Sequence, residues 1–341
     1  MTNALVVAIA SYLEPEHIEK IRRVDPRLEV LYDPALLPAP RYIADHTGMP
    51  LIRTPDQEQR YLGMLARAEV MFDFDHAQTA NLRAVAPKLK WLQATSAGIG
   101  QYVKKNGLDA IGVTFTTASG VHARPLADFC TMAMLMFAKD YFGMLRDQRV
   151  RRWSRTCAEE LTGKTLAIIG LGRVGREVAR QAKCFDMRVI GTTRASSEAP
   201  HVDQIYRPAQ LAEVLPQADF LVLIAPHTPE TEGMIGAAEL GLMKPTAIII
   251  NIARGVLIDE DALIAALRNG RLAGAALDVF RDEPLPAASP LWDMPNVIVS
   301  PHSASTVRQE NGRITDLFCE NLRRYLDGRP LLNVLETDRM Y

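Results

Sequence analysis

The chain is short of cysteine. Its 341 residues include four, Cys130, Cys157, Cys184 and Cys319, and no two form a C-x-x-C pair. Metal-ligand spacing and a disulfide framework are therefore unsupported, no metal site is expected, and a reduced, cytoplasmic compartment fits better. An excess of charge of one sign is missing as well: 39 Lys and Arg stand against 40 Asp and Glu. That balance gives no broad positive field for nucleic acid or an anionic membrane surface, so neither is expected as a partner. No apolar run is long enough to span a bilayer. The opening MTNALVVAIASYLEPEH lacks a basic leader region and reads as a first strand followed by a helix. Repeats and low-complexity segments are absent too. What remains is an ordinary globular composition, 48% apolar and 23% charged, in a length that suits two domains.

Short apolar runs alternate with helical patterns almost throughout. ALVVAIA, LEVLY, EVMFDF and LKWLQA read as strands separated by helical stretches and one Pro-rich loop. Residues 124–152 read as one long helix, apolar nearly all round in its middle and hence buried in a core or subunit interface. A second series follows: TLAIIG, MRVIGTT, DFLVLIAP, TAIIINIA, LAGAALDVF and NVIVSPH, with helices between them and a final helix over 305–326. Such alternation predicts the α/β class, with parallel sheets covered by helices on both faces. Two doubly wound domains are expected, the second inserted into the first, with crossings near 124–153 and 301–321.

GLGRVG matches G-x-G-x-x-G at Gly170, Gly172 and Gly175. Glycines recur in many turns, but this set follows an apolar strand and opens a helix, the context that gives it meaning. Gly170 permits the tight turn, Gly172 lets the backbone approach a pyrophosphate, and Gly175 allows close helix–strand packing. Arg173 and Val174 would lie against that anion. An acidic residue commonly follows about 20 residues later to hold the adenosine ribose. Here it is missing, and Thr192, Thr193 and Arg194 stand in its place. Without a carboxylate to repel it, a 2′-phosphate can be accepted by Thr193 and Arg194, with Thr192, Ser196 and Ser197 as extra donors. One charge-assisted hydrogen bond contributes about 1.5–3 kcal/mol, a ten- to hundredfold preference for NADP over NAD. An arginine simply pointing into water is the alternative.

Three charged residues fall just beyond late strands, where open α/β sheets bind ligands. They are Arg254 in NIARG, Glu283 in DVFRDEPLP and His302 in VIVSPHSAS. Each alone has an ordinary reading as a turn residue, a solvated loop or a cap. Together they meet the needs of a carbonyl reductase. A carboxylate partner favours and orients a protonated imidazole, which can then serve as a general acid. An arginine can hold a substrate carboxylate and polarise the neighbouring carbonyl.

With GLGRVG, APHTPETEGMIG, MKPTAIIINIARGVLIDEDALIAAL, GAALDVFRDEPLP and NVIVSPHSAS in this order, the chain resembles the D-isomer-specific 2-hydroxyacid dehydrogenase family over nearly its whole length. The resemblance implies a flavodoxin-like substrate domain, residues 1–121 plus 302–341, and a Rossmann cofactor domain, 122–301. It implies hydride transfer between NADP, or NAD, and a 2-keto or 2-hydroxy acid in a cleft between the domains. Arg254, Glu283 and His302 fall on its catalytic set. Asp278 falls on its acid near the nicotinamide carboxamide, with Ile252, Ala253, His302 and Ala304 beside the cofactor. Pro226 and Thr231 fall in its cofactor loop, where a simple loop role is equally open. ATSAGIG matches its substrate loop, so backbone N–H groups of Ala97, Gly98 and Ile99 would hold the substrate carboxylate, together with Arg254. Gly100 stands where the family usually has aspartate, and Asp128 where glutamate is commoner. His122 reads as structural. Trp91 and Trp292 could shape a pocket, although aromatic packing suits both. The family usually dimerises through the helix after Val121, and the apolar 129–142 region fits a homodimer.

Thr193 and Arg194 resemble the NADPH-preferring glyoxylate and hydroxypyruvate reductases within the family, so a small 2-keto acid is the expected substrate. No regulatory domain is seen after the last helix, which argues against an amino-acid-biosynthetic member. Two alternatives stand beside this reading: a dinucleotide-sensing module of the corepressor type, and a dehydrogenase acting on a bulkier 2-keto acid with NADH.

Overall fold

The computed structural model describes residues 4–194 and 198–337. Ser196 and Ser197, named above as extra donors, lie outside the described residues. The chain separates into two units, Met1–His122 with Thr306–Tyr341, and Ala123–Ser305.

In the first unit five strands form a parallel sheet: β1 (Leu5–Ile9), β2 (Leu28–Leu31), β3 (Val70–Phe72), β4 (Trp91–Gln93) and β5 (Thr114–Thr116), in the order β2-β1-β3-β4-β5. Alternate residues face opposite ways, as the pleat requires. Val7, Ile9, Val70, Phe72 and Trp91 pack with Ile18 and Ile21 of helix Pro15–Arg22 and with Ile314, Phe318 and Leu322 of helix Glu310–Leu326. Ala8, Met71 and Leu92 pack on the other face, with Tyr61, Met64 and Leu65 of helix Pro55–Arg67. Trp91 is fully buried and its indole N–H donates to Thr116 Oγ1 at 2.8 Å, so packing is its role.

Seven strands form the parallel sheet of the second unit: β6 (Thr165–Ile169), β7 (Arg188–Thr192), β8 (Gln204–Tyr206), β9 (Phe220–Leu223), β10 (Ile248–Asn251), β11 (Gly274–Leu277) and β12 (Val297–Val299). Their order is β12-β11-β10-β9-β6-β7-β8. Strand order reverses between β6 and β9, the switch point at which doubly wound sheets bind dinucleotides. Both faces are again covered. Ile169, Leu221, Leu223, Ile249 and Leu277 belong to one core, and Leu166, Ile168, Val222, Ile250 and Ala276 to the other. The fold class expected from the alternating pattern is the one observed.

Two elements differ from the sequence reading. The long helix over 124–152 is two helices, Ala123–Ala138 and Tyr141–Arg149. Asp140 breaks it with φ +51, and its carboxylate caps the second helix by accepting from Gly143 N–H at 3.1 Å. Periodicity continues across the break, which is why the pattern hid it. The final helix starts at Glu310 rather than at residue 305. No helix among the described residues is long and apolar enough to cross a membrane.

Candidate functional site

The glycine turn lies where β6 meets helix Arg173–Lys183. Gly170 has φ +112, and a Cβ there would sit 2.8 Å from Ala225 N. At Gly175 a Cβ would meet the Gly170 carbonyl oxygen at 2.3 Å, so any larger residue would push the helix off its strand. Gly172 differs: it caps the helix with extended backbone, and no heavy atom lies within 4 Å of the Cβ position. Two glycines are thus needed by the protein's own packing, and the third leaves open space at a helix N-terminus. A dinucleotide pyrophosphate fits that combination. Val174 packs partly into the adjoining core.

At the end of β7, Thr192 is buried, and its carbonyl accepts from Gly170 N–H at 3.3 Å and Leu171 N–H at 3.0 Å. This couples the glycine turn to the segment carrying Thr193 and Arg194. Thr193 N–H donates to Tyr206 O at 3.2 Å, and Arg194 is exposed. Sequence reasoning missed one residue here. Arg207 Nη1 donates to the Arg194 carbonyl at 3.1 Å, which puts a second arginine side chain against the backbone of Arg194. The cause is strand register, because Thr192 pairs with Tyr206. Three-residue β8 passed unread in the sequence, and with it the neighbour of Arg194. The Glu230 carboxyl is lowered by its hydrogen bond to Thr228, by a backbone N–H and, least, by the Arg194 charge.

The loop after β9 is held from within. Thr231 Oγ1 donates to Pro226 O at 2.7 Å and accepts from Thr228 N–H at 2.8 Å. Thr231 thereby braces the loop that carries Pro226.

Arg254, Glu283 and His302 follow β10, β11 and β12, which are neighbours in the sheet. Asn251 pairs with Leu277 and Leu277 with Val299, so the three carboxyl ends are level. His302 Nδ1 lies 2.7 Å from Glu283 Oε2. The other carboxylate oxygen accepts from Phe280 N–H at 3.0 Å, which fixes its direction. Burial would raise the Glu283 carboxyl. The His302 hydrogen bond, the Phe280 N–H and the charges of His302 and Arg254 outweigh burial and hold it below the ordinary glutamate range. Burial pushes Arg254 below the usual arginine value, with the Glu283 carboxylate opposing. The three residues share one electrostatic environment.

Two further residues position this set. Asn251 is buried; its side-chain amide donates to Arg254 O at 3.0 Å and its Oδ1 accepts from Ala253 N–H at 3.1 Å. It thereby folds the turn through Ile252 and Ala253, both buried. Gly255 lies so close to the next loop that a Cβ would stand 1.9 Å from Phe280 C. A polar residue closing the apolar run IIIN was the only sequence signal for the first, and the second had none. Asp278 Oδ1 accepts from Ser300 Oγ at 2.6 Å, Ser303 N–H at 2.8 Å and Ala304 N–H at 2.9 Å. It organises the loop that carries His302, whose own N–H donates to Asp278 O at 2.9 Å with φ +52.

The remaining candidates lie elsewhere. Ala97, Gly98 and Ile99 belong to the first unit, Ala97 and Gly98 exposed and Ile99 buried, after β4. His122 Nε2 lies 3.2 Å from Glu310 Oε1, a pair within the first unit. Trp292 N–H donates to Pro286 O at 3.0 Å and so ties down its own loop. Among the described residues no group of three or more His, Cys, Asp or Glu could hold a metal ion.

Residues 131–304 match the family described as D-isomer specific 2-hydroxyacid dehydrogenase, NAD binding domain. A glyoxylate reductase of Korarchaeum cryptofilum is 34% identical over 76% of this chain and 80% of its own. A crystal structure of NADPH-dependent glyoxylate/hydroxypyruvate reductase from Sinorhizobium meliloti, in complex with NADP and sulfate, aligns with TM-score 0.81 and 26% identity over 99% of this chain and 100% of that one. The D-isomer specific 2-hydroxyacid dehydrogenase of Xanthobacter autotrophicus Py2, in complex with NADPH and MES, aligns with TM-score 0.79 and 28% identity over 100% of both chains. In class, then, the protein is a nicotinamide-dependent oxidoreductase. It belongs to the D-isomer specific 2-hydroxyacid dehydrogenase family.

Proposed function

We propose that the protein reduces small 2-keto acids of the glyoxylate and hydroxypyruvate type to D-2-hydroxy acids, with NADPH preferred over NADH. The observation that carries this reading is the Glu283–His302 pair at 2.7 Å, level with Arg254 at the carboxyl ends of adjacent strands. A reduced nicotinamide, when bound, would supply the hydride that the carbonyl carbon needs. His302 donates the proton that the carbonyl oxygen needs, and Glu283 orients the ring and stabilises its charged form. Arg254 is assigned the substrate carboxylate and polarisation of the carbonyl, and the backbone N–H groups of Ala97, Gly98 and Ile99 are assigned to substrate binding. In the reverse direction unprotonated His302 accepts the hydroxyl proton.

Cofactor contacts are assigned to Gly170, Gly172, Arg173, Val174 and Gly175, to Pro226, and to Ile252, Ala253, Asp278 and Ala304. Thr193, Arg194 and Arg207 are assigned the 2′-phosphate. Relatives solved with NADP and NADPH support that choice. On this reading the first unit is the substrate domain and the second the cofactor domain. A homodimer is proposed through 123–153, supported by Met132, Tyr141, Met144, Val150 and Trp153, all exposed in the single chain. Cytoplasmic residence is proposed from the unpaired cysteines.

The test is NADPH oxidation with glyoxylate, hydroxypyruvate and bulkier 2-keto acids. Turnover of the two small acids is expected, and no turnover with any acid and either cofactor overturns the reading.

A further inference from the structure

β5 lies at one edge of the first unit's sheet, and residues 332–335, which follow helix Glu310–Leu326, cover that edge. Val334 bridges antiparallel to Thr116. Thr117 N–H donates to Asn333 O at 2.9 Å, and Leu335 N–H donates to Phe115 O at 2.8 Å. An open sheet edge invites pairing with other chains, so covering it has a structural use. Those backbone bonds suffice for it. The side chains of the segment reach further.

Asn333 has φ +57, a conformation that asparagine tolerates better than most residues. Its side-chain amide donates to Thr117 O at 3.2 Å and to Ser119 O at 2.8 Å. Between those carbonyls, Ala118 N–H donates to Ser96 O at 3.0 Å. A second route runs through Asn321, which is fully buried. Its Oδ1 accepts from Leu332 N–H at 2.7 Å, and its amide donates to Leu332 O and to Gln93 Oε1, both at 3.1 Å. Gln93 is fully buried too, and its own amide donates to Ala94 O at 2.9 Å. Both routes therefore end on carbonyls at the start of the 94–99 segment, those of Ala94 and Ser96. Leu335 adds an apolar tie, since it belongs to the same buried cluster as Ile99.

Burying polar side chains costs free energy unless they are paired, and Asn321 and Gln93 are each paired at both oxygen and nitrogen. A satisfied buried network of this kind fixes one geometry. What it fixes is the approach to Ala97, Gly98 and Ile99, whose N–H groups are assigned above to substrate binding. Binding groups work only when held within about 0.5 Å of their productive positions. We propose that residues 332–335, through Asn333 and Asn321, are a positioning element for substrate binding. They act through the 94–99 loop rather than on the substrate. This rests on the keto-acid reduction proposed above and gives it a determinant of KM far along the chain from the loop.

Asn333→Gly and Asn333→Asp test it, because both tolerate the left-handed backbone and both lose the donor amide. Each should raise KM for glyoxylate about tenfold, with kcat within about twofold of wild type and NADPH affinity unchanged. Val334→Ala, at an exposed neighbour outside the network, should leave KM alone. A loss of folded protein lowers the apparent kcat and not KM, so the split separates positioning from stability. Amide hydrogen exchange gives a second readout that needs no turnover. The 94–99 amides should exchange faster in both variants, with β6 and β9 of the second unit as the reference. KM equal to wild type in both variants, or unchanged exchange at 94–99, overturns the proposal. If wild type reduces no keto acid, the function fails and the substrate role with it, and hydrogen exchange still decides whether the segment braces the loop.

Discussion

At the scale of single residues, the account rests on a proton held at one atom. His302→Ala removes it and is expected to lower kcat by about 10²–10⁴-fold, with KM much less affected, in steady-state assays. Glu283 gives a pH signature. Its carboxyl is held below the ordinary glutamate range, so the carboxylate outlasts an unpaired glutamate as pH falls. Any acid-side loss of reduction due to its protonation should come below that range, and the limb should vanish from the pH–rate profile of Glu283→Gln. An acid limb unchanged in that variant would point to another group. Arg254, Glu283 and His302 were legible because each stands a few residues past an apolar strand, and a parallel sheet gathers such ends. Arg207 and Asn251 were not. What they do depends on a register and a turn that appear only once the strands are paired.

At the scale of elements, close backbone approach is the controlling fact. Gly255→Ala places a Cβ 1.9 Å from Phe280 C, forcing apart the loops that carry Arg254 and Glu283. Activity should fall together with thermal stability. Asn251→Ala should separate the two effects: it leaves the strand in place and frees the Arg254 turn, so kcat/KM should drop about ten- to hundredfold in a protein that keeps its circular dichroism spectrum. The glycine turn was readable in the sequence because a strand and a helix flank it. The break at Asp140 was not, since helical periodicity runs on through it and a single left-handed residue leaves no apolar signal.

At the scale of the whole molecule, linkage supplies the checks. A ligand present at a hundred times its Kd stabilises the folded state by about 2.7 kcal/mol, so NADPH should raise the melting temperature of the wild type. Arg194→Ala and Arg207→Ala should each reduce that gain for NADPH and leave any gain from NADH nearly unchanged, which a thermal shift series reads directly. Trp153 is 97% exposed in the single chain, which a second copy would explain. Sedimentation of Trp153→Glu with Met144→Glu should show monomers where the wild type shows dimers. The central claim is NADPH-dependent reduction of a small 2-keto acid through His302, and its most direct measurement is the initial rate of NADPH oxidation with hydroxypyruvate, wild type against His302→Ala. The account expects rapid oxidation by wild type and about 10²-fold or greater loss in the variant. Equal rates in the two proteins, or no oxidation by wild type, would contradict it.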